Sequence, residues 1–174
     1  IPVVEIFRQG QYMIHALDNT KGLKEGMEVN CEINKERRIQ LAQHHTSTHI
    51  INAAARKVLG LHINQAGAKK TPEKAHIDIT HYQSLSEKEL EEIEKEANKI
   101  VQKKIPVHSS FMARNDAEKK YGMGIYQGGV PIGKELRIVD IENTDVECCG
   151  GTHLKNTSEA EKIKLLNHYF FDII

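Results

Sequence analysis

Two short constellations in this 174-residue chain carry side chains able to hold a metal ion. The first is His45-Thr46-Ser47-Thr48-His49. On a helix, residues four apart share a face with Cβ atoms about 5–6 Å apart, so both imidazoles can reach one ion. Two partly exposed surface histidines would give the same pattern without a metal. The pair lacks the glutamate of a His-Glu-x-x-His motif, which argues against a zinc protease because the general base is missing. The second constellation is Cys148-Cys149-Gly150-Gly151-Thr152-His153. A thiolate and an imidazole separated by two glycines can wrap around one ion, since glycine permits tight backbone paths. A glycine turn with an incidental histidine and a buried cysteine is the plain alternative. Together the halves supply His, His, Cys and His, a donor set suited to zinc. Spacing alone does not choose between Cys148 and Cys149. About a hundred residues separate the halves, so only the tertiary fold can bring them together.

The elements that must do this are legible in outline. Val3–Ile6, Tyr12–Leu17 and Met27–Ile33 read as short strands, with turn chemistry from Asp18 to Gly26. A helix is expected from about Glu36 to Leu59, with Ile39, Ala42, Ile50, Ala53, Ala54 and Val58 at three- and four-residue steps and Gly60 as its stop. A loop or strand from His62 to Lys70 precedes an alternating strand, His76–Thr80. Ser86 and Glu89 form a capping-box pattern ahead of a second helix, with Leu90, Ile93, Ala97, Ile100 and Val101 on one face, ended by Pro106. Val107–Met112, Leu136–Ile141 and Ile163–Tyr169 read as strands, with Phe170–Ile174 a candidate continuation of the last, and Asp116–Tyr121 as a short helix closed by Gly122. The expected class is α+β: a mixed or antiparallel sheet with packed helices around a zinc-binding cleft, preceded by part of a small β unit. The expected division is a partial β-barrel-like segment over 1–38 and the zinc-binding domain over 39–174.

Composition narrows the function classes. With 24 basic and 24 acidic residues the formal charge is zero, which argues against a protein held to nucleic acid by bulk charge. Three cysteines, two of them adjacent, make a poor disulfide framework and fit reduced thiols in a cytoplasmic setting. Ten histidines exceed what packing requires. No apolar run approaches the roughly 18–20 residues of a membrane span, and no leader opens the chain, so a soluble protein with no membrane partner is expected. The start at Ile1, inside a strand-like stretch, suggests a piece of something longer.

His45-x-x-x-His49 followed by Cys149-Gly150-Gly151-Thr152-His153 resembles the editing domain of alanyl-tRNA synthetases and its free-standing trans-editing relatives. Threonyl-tRNA synthetase editing domains share the wider pattern, but the Cys-Gly-Gly-Thr-His wording points to the alanyl branch. Arg37-Arg38, Val58-Leu59-Gly60, Gln65-Ala66-Gly67-Ala68 and Gln127-Gly128-Gly129-Val130-Pro131 extend the match, the last resembling the archaeal type in particular. The similarity runs from about residue 10 to residue 166. Two positions depart from the family pattern. Its usual Thr-Gly-Glu-x-Gly run is here Thr157-Ser158-Glu159-Ala160-Glu161, and Asn64 stands where an aromatic residue is usual.

The resemblance implies a zinc-dependent aminoacyl-tRNA hydrolase acting in protein biosynthesis on Ser-tRNA(Ala) and Gly-tRNA(Ala). Its partners would be the tRNA(Ala) acceptor end and the rest of the synthetase chain, which would carry ATP binding and the alanine–tRNA ligase activity. By motif position His45, His49, Cys149 and His153 would be the zinc ligands, with Thr48 and Gln65 in the pocket that reads the misacylated residue. A free-standing deacylase and a zinc-stapled, non-enzymatic tRNA-binding module are the alternatives. Editing answers a physical limit: a pocket separates amino acids that differ by a methyl or hydroxyl by only about 10–200-fold. Thr48 is the best candidate partner for a serine hydroxyl. Lys69, with Lys70 beside it and Gln65 nearby, is the expected contact to the tRNA strand. Gln127, Gly128 and Gly129 would let the backbone approach the terminal nucleotide, or form a simple turn. His44 reads as a surface histidine. Four protein ligands describe a closed zinc site, whereas catalysis needs an open position, and the sequence leaves that choice open.

Overall fold

The computed structural model describes residues 1–166. It divides into two compact units, Ile1–Ile33 and Asn34–Ile174. The first contains an antiparallel hairpin, β1 (Val3–Gln9) and β2 (Tyr12–Leu17). Gly10, at φ 60°, opens the two-residue turn between them, the conformation only glycine takes without strain. Met27–Ile33, expected as a strand from its alternation, has no regular structure, and Met27, Val29 and Ile33 are exposed.

In the second unit the long helix α1 (Lys35–Leu59) is the organising element. The Asn34 side chain accepts from the Arg37 amide, and the Gly60 amide donates back to the Arg56 carbonyl, so both ends are closed by the residues flanking the periodic run. Its buried face carries Ala42, Ile50, Ala53, Ala54 and Ala55, but also Thr46, Thr48, His49 and Asn52. Ile39, expected on that face, is exposed. Helix α2 (Glu87–Gln102) packs against α1 through Ile93, Ala97, Ile100 and Val101, and its start is the expected capping box of Ser86 and Glu89.

Two antiparallel sheets complete this unit. Strands β3 (Gln65–Lys70) and β4 (Ala75–Ile79) pair with a bulge between Gln65 and Gly67. Strands β5 (Val107–Ala113), β6 (Glu135–Ile141) and β7 (Asp145–Cys148) form the second, with β6 central. Its Val139 and Ile141 enter the main core with Ile50, Ile63, Ile93, Cys149 and Leu154. Leu136 and Ile138 form a smaller cluster with Ile125 and with Ala117 of the short helix α3 (Arg114–Tyr121). The α+β expectation holds, and every strand pair among the described residues is antiparallel.

Two differences from expectation lie near the end. Apolar alternation does not mark strand β7, because its inward positions are Asp145 and Glu147 where a strand pattern calls for apolar residues. Ile163–Leu166 forms no strand; instead the Asn98 side chain brackets Ile163, donating to its carbonyl at 2.8 Å and accepting its amide at 3.0 Å. The rest of that expected strand, and Phe170–Ile174, lie outside the described residues. Upstream, the buried Thr157 hydroxyl donates to the Ile100 carbonyl (3.0 Å) and accepts the Ile105 amide (2.9 Å), tying the segment after the metal-type motif to the end of α2. Glu161 follows at φ 61° and ψ −79°, at the position where the resembling family carries the last glycine of its run.

Candidate functional site

Helix α1 sets His45 and His49 one turn apart with ring centroids at 5.4 Å, and the loop after β7 carries Cys149 and His153 up to them. Cys149 Sγ lies 3.2 Å from His45 Nε2 and 3.4 Å from His153 Nε2, and the His153 ring is 4.4 Å from that of His49. One donor atom from each of His45, His49, Cys149 and His153 falls within 4.8 Å of the others. A tetrahedral zinc with bonds of about 2.0–2.3 Å has neighbouring donors roughly 3.3–3.8 Å apart, so three nitrogens and a sulfur at these spacings fit that ion. Cys148, equally eligible by spacing, belongs to the strand and packs against the smaller cluster.

Each ligand candidate is held from behind. Thr46 Oγ1 accepts the Leu154 amide at 3.0 Å and stands 3.2 Å from His153 Nδ1. If that nitrogen carries the proton, Nε2 presents its lone pair toward Cys149. Gly151 lies flat against His45: a Cβ there would come within 1.8 Å of His45 Cε1. Arg137 of β6 donates to the Cys149 and Gly151 carbonyls at 2.7 and 2.8 Å and to Ser109 Oγ at 3.0 Å, fixing the loop on the sheet.

His49 is backed by buried carboxylates. Its Nδ1 is 3.3 Å from Glu147 Oε2 and 3.8 Å from Asp145 Oδ2. Glu147 accepts from Asn52 Nδ2 at 2.7 Å and from Gln127, while Asp145 pairs with Arg56 at 3.0 Å. Gln127 Nε2 also sits 3.2 Å from His49 Nε2, and Gln65 donates to Gln127 Oε1 at 3.2 Å. The amide of Gln127 thus points at the lone pair a metal would take, and the same nitrogen also donates to Glu147.

Burial, reinforced by neighbouring positive charge, holds His45 down at about 4 and His153 at about 3, and pushes His49 well below the usual histidine range. All three are therefore neutral at pH 7, the form that binds metal. Burial pushes the Cys149 thiol up, and likewise raises Asp145 and Glu147.

The other expected residues fall in different places. Thr48 is buried, and its hydroxyl donates to the His45 carbonyl at 2.7 Å. Gln65 is buried in the network just described. Lys69 is exposed, whereas Lys70 is half-buried. Gly128, at φ 70°, lies against β3, where a Cβ would meet the Ala66 carbonyl oxygen at 2.0 Å; nothing crowds Gly129. Gln127, Gly129, Val130, Arg137 and Cys149 line an open cavity of about 450 Å³. His44 donates its Nδ1 proton to the Thr71 carbonyl at 2.6 Å. Sequence reasoning missed Thr46, Asn52, Asp145, Glu147 and Arg137, and it paired Lys70 with Lys69 as a strand contact without separating the two. For the two acids a signal existed: period two places 145, 147 and 149 on one face.

Residues 136–169, which include β6 from Leu136 onward, β7 and the Cys149–His153 loop, match the family described as the threonyl and alanyl tRNA synthetase second additional domain. Across nearly the whole chain the similarity is to alanine–tRNA ligases: 51% identity over 166 residues to that of Methanococcus maripaludis strain C7, covering 95% of this chain and 19% of the relative. The alanine–tRNA ligase of Methanococcus aeolicus is 55% identical over 152 residues (87% and 17%), and that of Sulfurisphaera tokodaii 48% over 165 (95% and 18%). The chain thus spans about a fifth of the length of these relatives, and the resemblance read from its motifs holds. Among the described residues no helix is long and apolar enough to cross a membrane.

Proposed function

We propose that this chain carries the hydrolytic editing site of an alanyl-tRNA synthetase, clearing Ser-tRNA(Ala) and Gly-tRNA(Ala), with residues 39–174 as the editing domain and 1–38 as part of a preceding β unit. The observation that carries the reading is the convergence of His45, His49, Cys149 and His153 within 4.8 Å in a chain half identical to alanine–tRNA ligases. These four residues would hold Zn2+. Bound there, zinc supplies Lewis acidity toward a carbonyl or a water.

The remaining work falls to the chain's own residues. Gln65 and Gln127 face each other beside the cluster and would orient the aminoacyl group. Thr48 has its proton held by the His45 carbonyl, so it would read serine through its oxygen, accepting the substrate hydroxyl. Alanine lacks that hydroxyl and would leave the pocket's polar groups unpaired, which disfavours its binding. Glycine would be admitted by size. Lys69, exposed on β3, and the Gln127-Gly128-Gly129 turn would meet the acceptor end, with tRNA(Ala) and the rest of the synthetase as partners.

The test is deacylation of Ser-, Gly- and Ala-charged tRNA(Ala) by wild type and Cys149→Ala. Ser-tRNA(Ala) is expected to be hydrolysed far faster than Ala-tRNA(Ala), and Cys149→Ala to lose that activity. Equal rates on the seryl and alanyl esters would refute the assignment. Thr48→Val is expected to lose serine selectivity while keeping its metal.

A further inference from the structure

Strand β3 carries Gln65 and Lys70 five residues apart, which in a regular strand would put them on opposite faces. The bulge between Gln65 and Gly67 changes that. Gln65 pairs with Ile79 and Lys70 with Ala75, two positions of the same parity on β4, so both point the same way. Gln65 is thereby buried against Gln127, and Lys70 is half-buried while its neighbour Lys69 faces solvent. One extra residue in the strand thus turns a lysine toward the site. Its charge bears on His45, His49, His153, Cys149 and Glu147. Among the described residues no ion pair includes it. Arg137, the other cation acting on His45 and His153, donates to two loop carbonyls and Ser109. A half-buried ammonium without a carboxylate ion pair, on the face of β3 that also carries Gln65, is arranged to receive an anion rather than to stabilise the fold.

We propose that Lys70 is a further catalytic residue, whose ammonium contacts the ester carbonyl oxygen and holds the charge that oxygen acquires during hydrolysis. This rests on the editing reading above. Water oxygen bonds to the ester carbon while the carbonyl π pair moves onto its oxygen, opposite the Lys70 ammonium. When that pair returns, the bond from carbon to the ribose oxygen breaks, and the proton given up by the water ends on the ribose. An ammonium at this place interacts more strongly with the tetrahedral oxyanion than with the neutral ester, so it accelerates the chemical step.

The test compares wild type, Lys70→Met and Lys70→Arg in the intact chain. Four quantities are measured: kcat and KM on Ser-tRNA(Ala), zinc affinity by chelator competition, and binding of a non-hydrolysable seryl-adenosine amide. Lys70→Met is expected to lower kcat about 100- to 1000-fold, with KM, zinc affinity and amide binding each within about threefold of wild type. Lys70→Arg is expected to recover at least tenfold of the loss. Three results would overturn the assignment: an unchanged kcat in Lys70→Met; a fall in zinc affinity matching the fall in kcat, which would make Lys70 only a counter-charge for the Cys149 thiolate; or a raised KM at unchanged kcat, which would place it on a phosphate of the acceptor end. A wild-type chain that hydrolyses no Ser-tRNA(Ala) refutes the editing reading itself, and Lys70's role with it.

Discussion

Replacing Gly151 by alanine should cost the site its metal while leaving the fold standing. The added Cβ would lie 1.8 Å from His45 Cε1 and 2.2 Å from His45 Nδ1. Carbon atoms settle at about 3.5–4.0 Å, so the ring must retreat by roughly 1.7 Å. The loop cannot yield in its place, because Arg137 holds the carbonyls of both Cys149 and Gly151. Metal–ligand distances tolerate about 0.2 Å, so His45 leaves the coordination sphere. Disturbing a residue that merely supports a ligand already costs about 10- to 100-fold in affinity, so losing a ligand should cost at least about 100-fold. That is about 2.7 kcal/mol of zinc-linked stability. In a domain of this size it would shrink the zinc-induced rise in Tm by about 5–10 °C. Without metal, the variant bears only overpacking of a half-exposed ring, about 1–3 kcal/mol, and stays folded. Chelator competition together with melting curves with and without zinc would measure both effects. A Gly151→Ala protein that binds zinc within threefold of wild type would refute the geometry.

Other expectations follow from the same contacts. Thr46→Val keeps the side-chain shape but orphans the buried Leu154 amide, costing about 1–3 kcal/mol in urea unfolding, and should weaken zinc about 10- to 100-fold by freeing His153; an unchanged zinc affinity would show that Thr46 does not orient that ring. Glu161→Gly relieves a left-handed backbone and should stabilise by about 1 kcal/mol, read as a higher urea midpoint, whereas a lower midpoint would contradict it. His45 and His153 stay neutral down to about pH 4 and about 3, while the raised Cys149 thiol still holds its proton at pH 7. Zinc binding should therefore release about one proton, its affinity climbing about tenfold per pH unit through neutrality; calorimetry in buffers of different ionisation enthalpy would expose a release of three. The same depressed histidines lower metal-free stability as pH falls below about 6.5, because the unfolded chain takes up protons that the folded one refuses.

The ligand halves were legible because each is a short motif on one element, and both helices because their caps and apolar phase agree: α1 runs Lys35–Leu59 against an expected start near Glu36. What stayed hidden was set by tertiary context. Asp145 and Glu147 face inward only because His49, Asn52 and Arg56 meet them there, so β7 inverts the pattern by which strands are read. Alternation placed a strand at Met27–Ile33, but period-two spacing without a pairing partner leaves exposed coil. The adjacent lysines looked interchangeable, and only the register shift at Gln65 and Gly67 separates an outward from an inward one.

The distance in sequence between the two ligand pairs also bears on how the chain reaches its native state. His45 and His49 can share an ion as soon as α1 forms, a local event. Cys149 and His153 arrive only after β6 and β7 have paired and the core around Ile50 and Val139 has closed. Such distant contacts carry the largest loop-closure cost and form slowly. Capture of metal by all four donors is therefore a late step in folding. A cobalt-loaded refolding experiment would report it as an absorbance change that lags the recovery of helix.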